Sequence, residues 1–378
     1  MGKALERDAV PVLAVLRRLK PVLPTPRFTL VLRDADVRSV LADPDAFTVA
    51  LYTAKMDKIL RGFALAVDDP SVHAESRAVL DLAFLPGDDE RLAARTAALA
   101  AGALSSHDGF RPIDVATGLA RPVLGAVVAE HLGIPAPDPT AFATWSHDVF
   151  RQVFLNPDDD QAVARRADAA HAALRAAAAA PGPAPVPAPV PADTVRRRLE
   201  EAGLAPDAVT ANLVAMAVAW VPNTATSFTL AMAELLGRPR PLAGARQAAA
   251  AGDDARLSGY LLEALRFRPP HPGIPRMCVR DRALAGTRVR AGTPVVALTK
   301  SAMRDGAALR DPRRFLPDRP LADYLTFGFG RHTCPGAGAS VAQLTALARS
   351  LLVRNPVRRG RVGWDGPYPA RFAVTFDR

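Results

Sequence analysis

FGFGRHTCPGAGAS, residues 327 to 340, is the stretch on which the reading of this chain turns. Cys334 stands there between Gly328 and Gly330 on one side and Gly336 and Gly338 on the other, and SVAQLTALARSLLVR (340–354) follows at helical spacing. Glycines permit positive φ and let a flat ligand approach the backbone. A cysteine at a helix N-terminus meets free N–H groups and the positive end of the dipole, which favour the thiolate. Cys334 is therefore a candidate metal ligand or nucleophile; a Gly-rich turn around an inert buried cysteine is the alternative. Cys278, the other cysteine, lies 56 positions earlier, so there is no CxxC pair and no four-cysteine zinc site.

Upstream of this loop, Glu263-Ala-Leu-Arg266 puts an acid and a base three residues apart, on one face of a helix where they can pair. DDPSVHAESR (68–77) places His73 and Arg77 four apart, again on one face, with side chains suited to charge-assisted contacts with a carboxylate. Residues 208–233 carry no charge over 26 positions, a length that raises a membrane-spanning reading. Asn212, Pro222, Asn223, Thr224, Thr226, Ser227 and Thr229 argue against it, because lipid-facing segments seldom concentrate polar groups at their centre. A helix buried through a soluble protein fits better. Pro222 has no N–H for the carbonyl of Val218, so the reading predicts a kink and a free carbonyl there.

Most of the remaining sequence reads as helix. VRSVLADPDAF, AESRAVLDLAF, ARPVLGAVVAEHLG and DAAHAALRAAAAA carry Ala and Leu at helical spacing with Gly and Pro at the boundaries. Strand signals are few: FTLVL at 28–32, and TRVRAGTPVVAL at 287–298, two alternating runs joined by an AGT turn. With 378 residues, 49% apolar and 23% charged, the chain has the composition of a globular protein with a large core, and length alone allows two or three domains. The net charge of +10 comes mostly from Arg scattered among acids, and aromatics are only 6%, so no stacking platform for nucleic acid is read. A basic surface facing an acidic protein partner is the preferred reading. MGKALERDAV shows no apolar run with a cleavage site, so no signal peptide is expected, and Glu6 occupies the place where a myristoylation signal wants Ser or Thr. PGPAPVPAPVPAD (181–193) favours polyproline II and reads as a spacer or a long surface loop.

The spacing Phe327-Gly328-x-Gly330-x-x-x-Cys334-x-Gly336 resembles the signature loop of the cytochrome P450 superfamily, the heme-thiolate monooxygenases. The Glu263-x-x-Arg266 helix, the His73/Arg77 pair and the strand pair at 287–298 leading to Arg304-Asp305 resemble further family features in the same order, and the similarity runs from the FTLVL strand to the C-terminus. The resemblance implies a mainly α, cytochrome P450-like fold with small accessory β-sheets, heme b (iron protoporphyrin IX) lying between the long central helix and the cysteine-loop helix. It implies one heme-thiolate domain over residues 1–378, with 181–193 an internal surface loop. Cys334 becomes the iron ligand, with Phe327 opening its loop. His73, Arg77, Arg276 and His332 match the family's heme-propionate partners, and Glu263 with Arg266 a structural pair completed by Arg314, or by Arg319.

The chain departs from the family at the central helix. Where many members place an acid and an alcohol that relay protons to dioxygen, the best match here gives Asn223 and Thr224, with Val221 in place of a glycine. An amide hydrogen-bonds but cannot ionise. Two enzymatic readings follow. The first is a monooxygenase fed electrons by an acidic ferredoxin or similar donor, oxidising a lipophilic small molecule, with Asn223 and Thr224 positioning oxygen and water. The second is a hydroperoxide isomerase or peroxide-driven hydroxylase acting on fatty-acid-like peroxides without a redox partner. A non-catalytic heme-binding sensor is a remote third, and Asn223 merely capping the carbonyl freed by Pro222 is a structural alternative. The expected location is the cytoplasm, without a membrane span. The loop ALYTAKMDKILRGFAL (50–65) is expected to shape substrate specificity, and Lys55, Lys58 and Arg61 are candidates to meet a substrate carboxylate.

Overall fold

The computed structural model describes residues 10–376 except 61–62, 64–65, 108–110, 157, 182–192 and 367, so nearly all of the Pro/Ala-rich segment lies outside the described residues. In chain order the first half comprises α1 (Val10–Leu19), β1 (Val22–Pro24), β2 (Thr29–Val31), α2 (Asp34–Ala42), β3 (Phe47–Thr48), α3 (Ala50–Leu60), α4 (Pro70–Asp81), α5 (Asp88–Ser105), β4 (Ile113–Asp114), α6 (Arg121–Leu132), α7 (Pro139–Leu155), α8 (Gln161–Ala179) and α9 (Val195–Glu201). There follow α10 (Pro206–Leu235), α11 (Pro239–Ala251), α12 (Asp254–Phe267), β5 (Ile274–Cys278), β6 (Arg282–Leu284), β7 (Thr287–Val289), β8 (Pro294–Ala297), α13 (Thr299–Ala302), α14 (Ala337–Leu352), β9 (Pro356–Asp365) and β10 (Tyr368–Phe376). The molecule is mainly helical with small sheets, as the composition of its segments requires.

The charge-free stretch becomes α10, and its position explains its composition. α6, α7, α8, α12 and α14 all pack against it, so most of its surface is covered and a charge there would be desolvated. It is long and apolar enough to cross a membrane, yet most of its length is buried inside the protein. Pro222 lies inside the helix, which continues on both sides of it. Elsewhere the starts of helices are written in Asp-Pro steps. The Asp69 carboxylate accepts from the N–H groups of Ser71 and Val72 ahead of α4, and Asp138 does the same for Thr140 and Ala141 ahead of α7. The first of these caps sets the register that puts His73 on the inner face of α4, where it is buried.

The sheets depart from the sequence reading in two places. The two runs at 287–298 are not partners. β7 turns back on β6 through Ala285 and Gly286, both at positive φ, whereas β8 joins a five-stranded sheet of order β1-β2-β8-β5-β3, parallel to β2 and antiparallel to β5. The C-terminal hairpin β9–β10, which with β4 forms a three-stranded sheet, was not legible at all. Two register shifts break its alternation, and Arg358, Gly360 and Gly363 give β9 the composition of a turn.

One close approach carries a stability prediction. A Cβ on Gly125 of α6 would lie 2.3 Å from the backbone carbonyl oxygen of Pro139, at the start of α7. Backbone cannot swing aside as a side chain does, so Gly125→Ala should lower stability by about 1–3 kcal/mol. An unchanged urea midpoint for this variant would contradict the contact.

Candidate functional site

The cysteine loop folds into a closed ring before α14 begins. The Cys334 N–H donates to the Phe327 carbonyl at 2.9 Å, so Phe327 and Cys334 bracket the loop and fix each other. Gly330, at φ 75°, sits so close to α2 that a Cβ would come within 2.6 Å of the Leu41 carbonyl oxygen. Gly336 lies flat on the ring of Phe84, where a Cβ would meet Cζ at 2.8 Å. The Gly336 N–H points at the Cys334 sulfur and, with the Arg77 guanidinium, draws its pKa down; burial pushes it up and wins. The expected effect of a helix terminus on the thiolate is thus outweighed by desolvation, and a cation on the sulfur is what would reverse the balance.

Among the described residues no group of three or more His, Cys, Asp and Glu is placed to hold a metal ion. Cys334 therefore suits a metal that brings its other ligands in a macrocycle. The surroundings fit such a group. The His73 and His332 rings meet edge to face at 5.0 Å, and both ring nitrogens of His332 are buried without a hydrogen-bond partner. Burial first, then the positive charges of Arg276, His73 and Arg331, push the His332 pKa down to about 3. Arg276 is buried on β5, donating to the Pro275 carbonyl at 3.0 Å, which also accepts from the Tyr52 hydroxyl. Arg331 donates to the Asp68 carbonyl at 3.0 Å. Orphaned nitrogens among converging cations are a pocket for carboxylates, as the two propionates of heme require.

Three of the four nominated propionate partners, His73, Arg276 and His332, come together here. Arg77 is near enough for its charge to act on His73, while its guanidinium donates to the Thr333 carbonyl at 3.1 Å and to Asp81 at 2.9 Å, beside the loop backbone. Sequence reasoning missed Arg331 and Tyr52. The first is one residue from His332 inside the quoted loop, so its position was the available signal; Tyr52 lies in the 50–65 stretch read as a specificity loop, which is instead helical over Ala50–Leu60 as α3.

The structural triad needs a correction. Glu263 and Arg266 form a two-pronged pair at 2.7 and 2.8 Å with no exposure of either side chain. The third member is Arg319, whose Nε lies 3.2 Å from Glu263 Oε1 with its side chain 2% exposed. Arg314, the preferred assignment from sequence, has a side chain 72% exposed facing Asp311, and contributes only its carbonyl, to Arg266 and Arg319. Five residues further from the loop's start, Arg314 lay on the outer side of the same turn, which spacing alone could not show. Asp305 accepts from the Asp34 N–H at 3.1 Å and Arg304 donates to the Phe267 carbonyl at 2.7 Å, so this step ties the start of α2 to the end of α12.

On α10 the nominated pair divides. Thr224 is buried, with its hydroxyl 3.5 Å from that of Ser340 on α14, next to a bond of 2.7 Å from Trp220 Nε1 to Gln343. Asn223 turns elsewhere. Its Nδ2 donates to the Ala219 carbonyl at 2.6 Å, not to Val218 as a cap for Pro222 would, and its Oδ1 meets His271 Nε2 at 2.6 Å. From Leu213 to Leu235, Ala219 and Asn223 are the half-exposed positions and the rest are buried, so this stripe, one helical turn long, faces open space. His271 had no sequence motif to announce it. Lys55 is occupied, donating to the Asn156 carbonyl and lying 3.4 Å from Asp159, whereas the side chain of Lys58 and all of Arg61 lie outside the described residues.

His271 gives a pH prediction. Burial alone pushes its pKa from 6.5 down to about 4. An unfolded chain takes up a proton near pH 6.5 that the folded protein refuses until about pH 4. The stability involved is fully present above pH 6.5 and is lost as pH falls toward 4, by about 1.4 kcal/mol per pH unit. Urea unfolding of the wild type should therefore weaken more steeply over this range than that of His271→Phe; parallel curves would count against the burial.

Comparison with known proteins places this geometry. The family model "Cytochrome P450" matches residues 257–354, which hold both the Glu263-x-x-Arg266 helix and the cysteine loop. The chain is 30% identical over 347 residues to the erythromycin C-12 hydroxylase of Saccharopolyspora erythraea, covering 89% of this chain and 84% of that protein. It is 28% identical over 400 residues to cytochrome P450 130 of Mycobacterium tuberculosis, covering 99% and 94%. The crystal structure of CalO2 superposes with a TM-score of 0.82 at 24% identity over 99% of this chain and 98% of that one, which shows a shared fold.

Proposed function

Because the chain belongs to the cytochrome P450 family, whose members are heme b monooxygenases, we propose that Cys334 is its iron ligand and that it oxidises a lipophilic small molecule with dioxygen. Bound at this site, heme supplies the redox chemistry that activates oxygen. The observation that carries the reading is one arrangement: half-buried Cys334 with the Gly336 N–H on its sulfur, two residues from the buried, orphaned ring nitrogens of His332. His73, His332, Arg276 and Arg331 hold the propionates, and Arg77 adds positive charge near the thiolate. Tyr52 and Phe150, each in ring contact with Phe154, supply with it an apolar wall for the substrate. Thr224 offers a hydroxyl on the side of α10 that meets Ser340, and Asn223, bound to Ala219 and His271, orients His271 on another side of the same helix. Residues 1–378 act as one domain, since α8 and α9, on either side of the Pro/Ala-rich segment, both pack on α10. Electrons come from an acidic ferredoxin or similar donor meeting the basic surface, in the cytoplasm.

The peroxide reading keeps one specific support. α10 offers no carboxylate between Asp207 and Glu234, and Glu234 is buried against Arg238 at 2.7 Å. A screen of the holoenzyme against lipophilic substrates and fatty-acid hydroperoxides, with and without an electron donor, separates the two. The expected result is turnover that requires the donor and dioxygen. Rapid, specific conversion of a lipid hydroperoxide without any donor would transfer the assignment to the second reading.

A further inference from the structure

We infer that His271 is the polar anchor of the substrate cavity, selecting ligands that present a hydroxyl or N–H donor over matched ligands that carry only acceptors or a carboxylate. The inference rests on the heme-thiolate reading above and adds the substrate class.

The direction of the hydrogen bonds follows from their partners. The Ala219 carbonyl can only accept, so the group of Asn223 within 2.6 Å of it is the amide NH2. The Asn223 oxygen is then the atom facing His271, and it too can only accept. His271 must donate from Nε2, which fixes its tautomer. Its pKa of about 4 keeps the ring neutral at physiological pH, so Nδ1 carries a bare lone pair. The His271 carbonyl accepts from the Thr299 hydroxyl at 3.2 Å, which ties the residue to α13.

His271 is also held rigidly and in the right place. It stands in Pro269-Pro270-His271-Pro272, where three prolines restrict the backbone. Asn223 joins it to the half-exposed stripe of α10, and Phe150 lies over it with ring centroids 6.0 Å apart. Five residues on, the same segment reaches Arg276 in the propionate pocket. A lone pair set in this apolar wall rewards a ligand donor and opposes an ether oxygen or a carboxylate, whose own lone pairs leave both acceptors unmatched. Asn223, bound at both ends, acts as a positioning residue that holds the tautomer.

The test uses the holoenzyme and matched probes: decanol, its methyl ether and decanoic acid, each titrated by the spin-state change of the Soret band. Wild type should bind the alcohol roughly 10–100-fold more tightly than the ether or the acid. His271→Phe should lose that preference while holding the ether at least as well. Nitrogen-15 NMR of histidine-labelled wild-type protein should show His271 protonated at Nε2 and bare at Nδ1. Equal affinities, a preference for the acid, or an Nδ1–H tautomer in a holoenzyme with a normal thiolate spectrum would overturn the inference and leave Cys334 ligation standing. A wild-type holoenzyme without that spectrum would remove the reading beneath it.

Discussion

Cys334→Ser is expected to abolish the thiolate signature: the Soret band of the reduced, carbon-monoxide-bound protein should move, and turnover should fall by more than about 100-fold. Loss of outer partners to a metal ligand alone costs 10–100-fold, and here the ligand itself is removed. Burial already pushes the Cys334 thiol above its ordinary pKa, and the Gly336 N–H with Arg77 only partly offsets it. A serine hydroxyl starts far less acidic, so the same site leaves it neutral and a poor ligand. The loop itself should survive, because its closure uses the backbone N–H at position 334 and the carbonyl of Phe327. Circular dichroism should therefore match wild type. An unchanged Soret band would show that the thiolate does not bind the iron.

The second large effect is on stability. Glu263 neutralises Arg266 and Arg319 where none of the three side chains is more than 2% exposed, and its Oε1 also accepts from the Leu316 N–H at 2.8 Å. Glu263→Ala leaves two buried guanidinium groups uncompensated and should destabilise the protein by about 3–5 kcal/mol, enough to lower the soluble yield. Arg266 in turn donates to the carbonyls of Met303, Pro312 and Arg314, so the damage extends into the segment that leads to the cysteine loop. Arg319→Ala should be strongly destabilising, whereas Arg314→Ala should stay within about 0.5 kcal/mol of wild type. Urea titration of the three variants reads the order. If Arg314→Ala proves the more damaging of the two arginine changes, the assignment of the triad is wrong.

Legibility followed the kind of signal each residue carried. Local signals were readable: the cysteine between glycines, the acid and base three apart on α12, and the uncharged run that became α10. Each rests on spacing within one element, which helical geometry converts directly into a shared face. Signals that depend on where a turn points were not. Arg314 and Arg319 lie in one irregular stretch, and only folding showed that one turns inward and the other to solvent. The runs at 287–298 look like a hairpin because alternation reports a strand and says nothing of its partner.

By itself, then, the sequence determined the mainly helical architecture, the glycine-flanked cysteine loop and the buried acid–base pair on α12, because those features are periodic or lie in one short loop. The tertiary structure alone decided which way side chains of the central helix look. Asn223 and Thr224 are neighbours in the chain, yet a helix rotates successive residues by about 100°. One therefore meets Ser340 on α14 and the other His271, 48 residues away. No pattern within α10 contains that second partner. It exists only because packing brings a proline-bound histidine to the half-exposed stripe of α10 between Leu213 and Leu235.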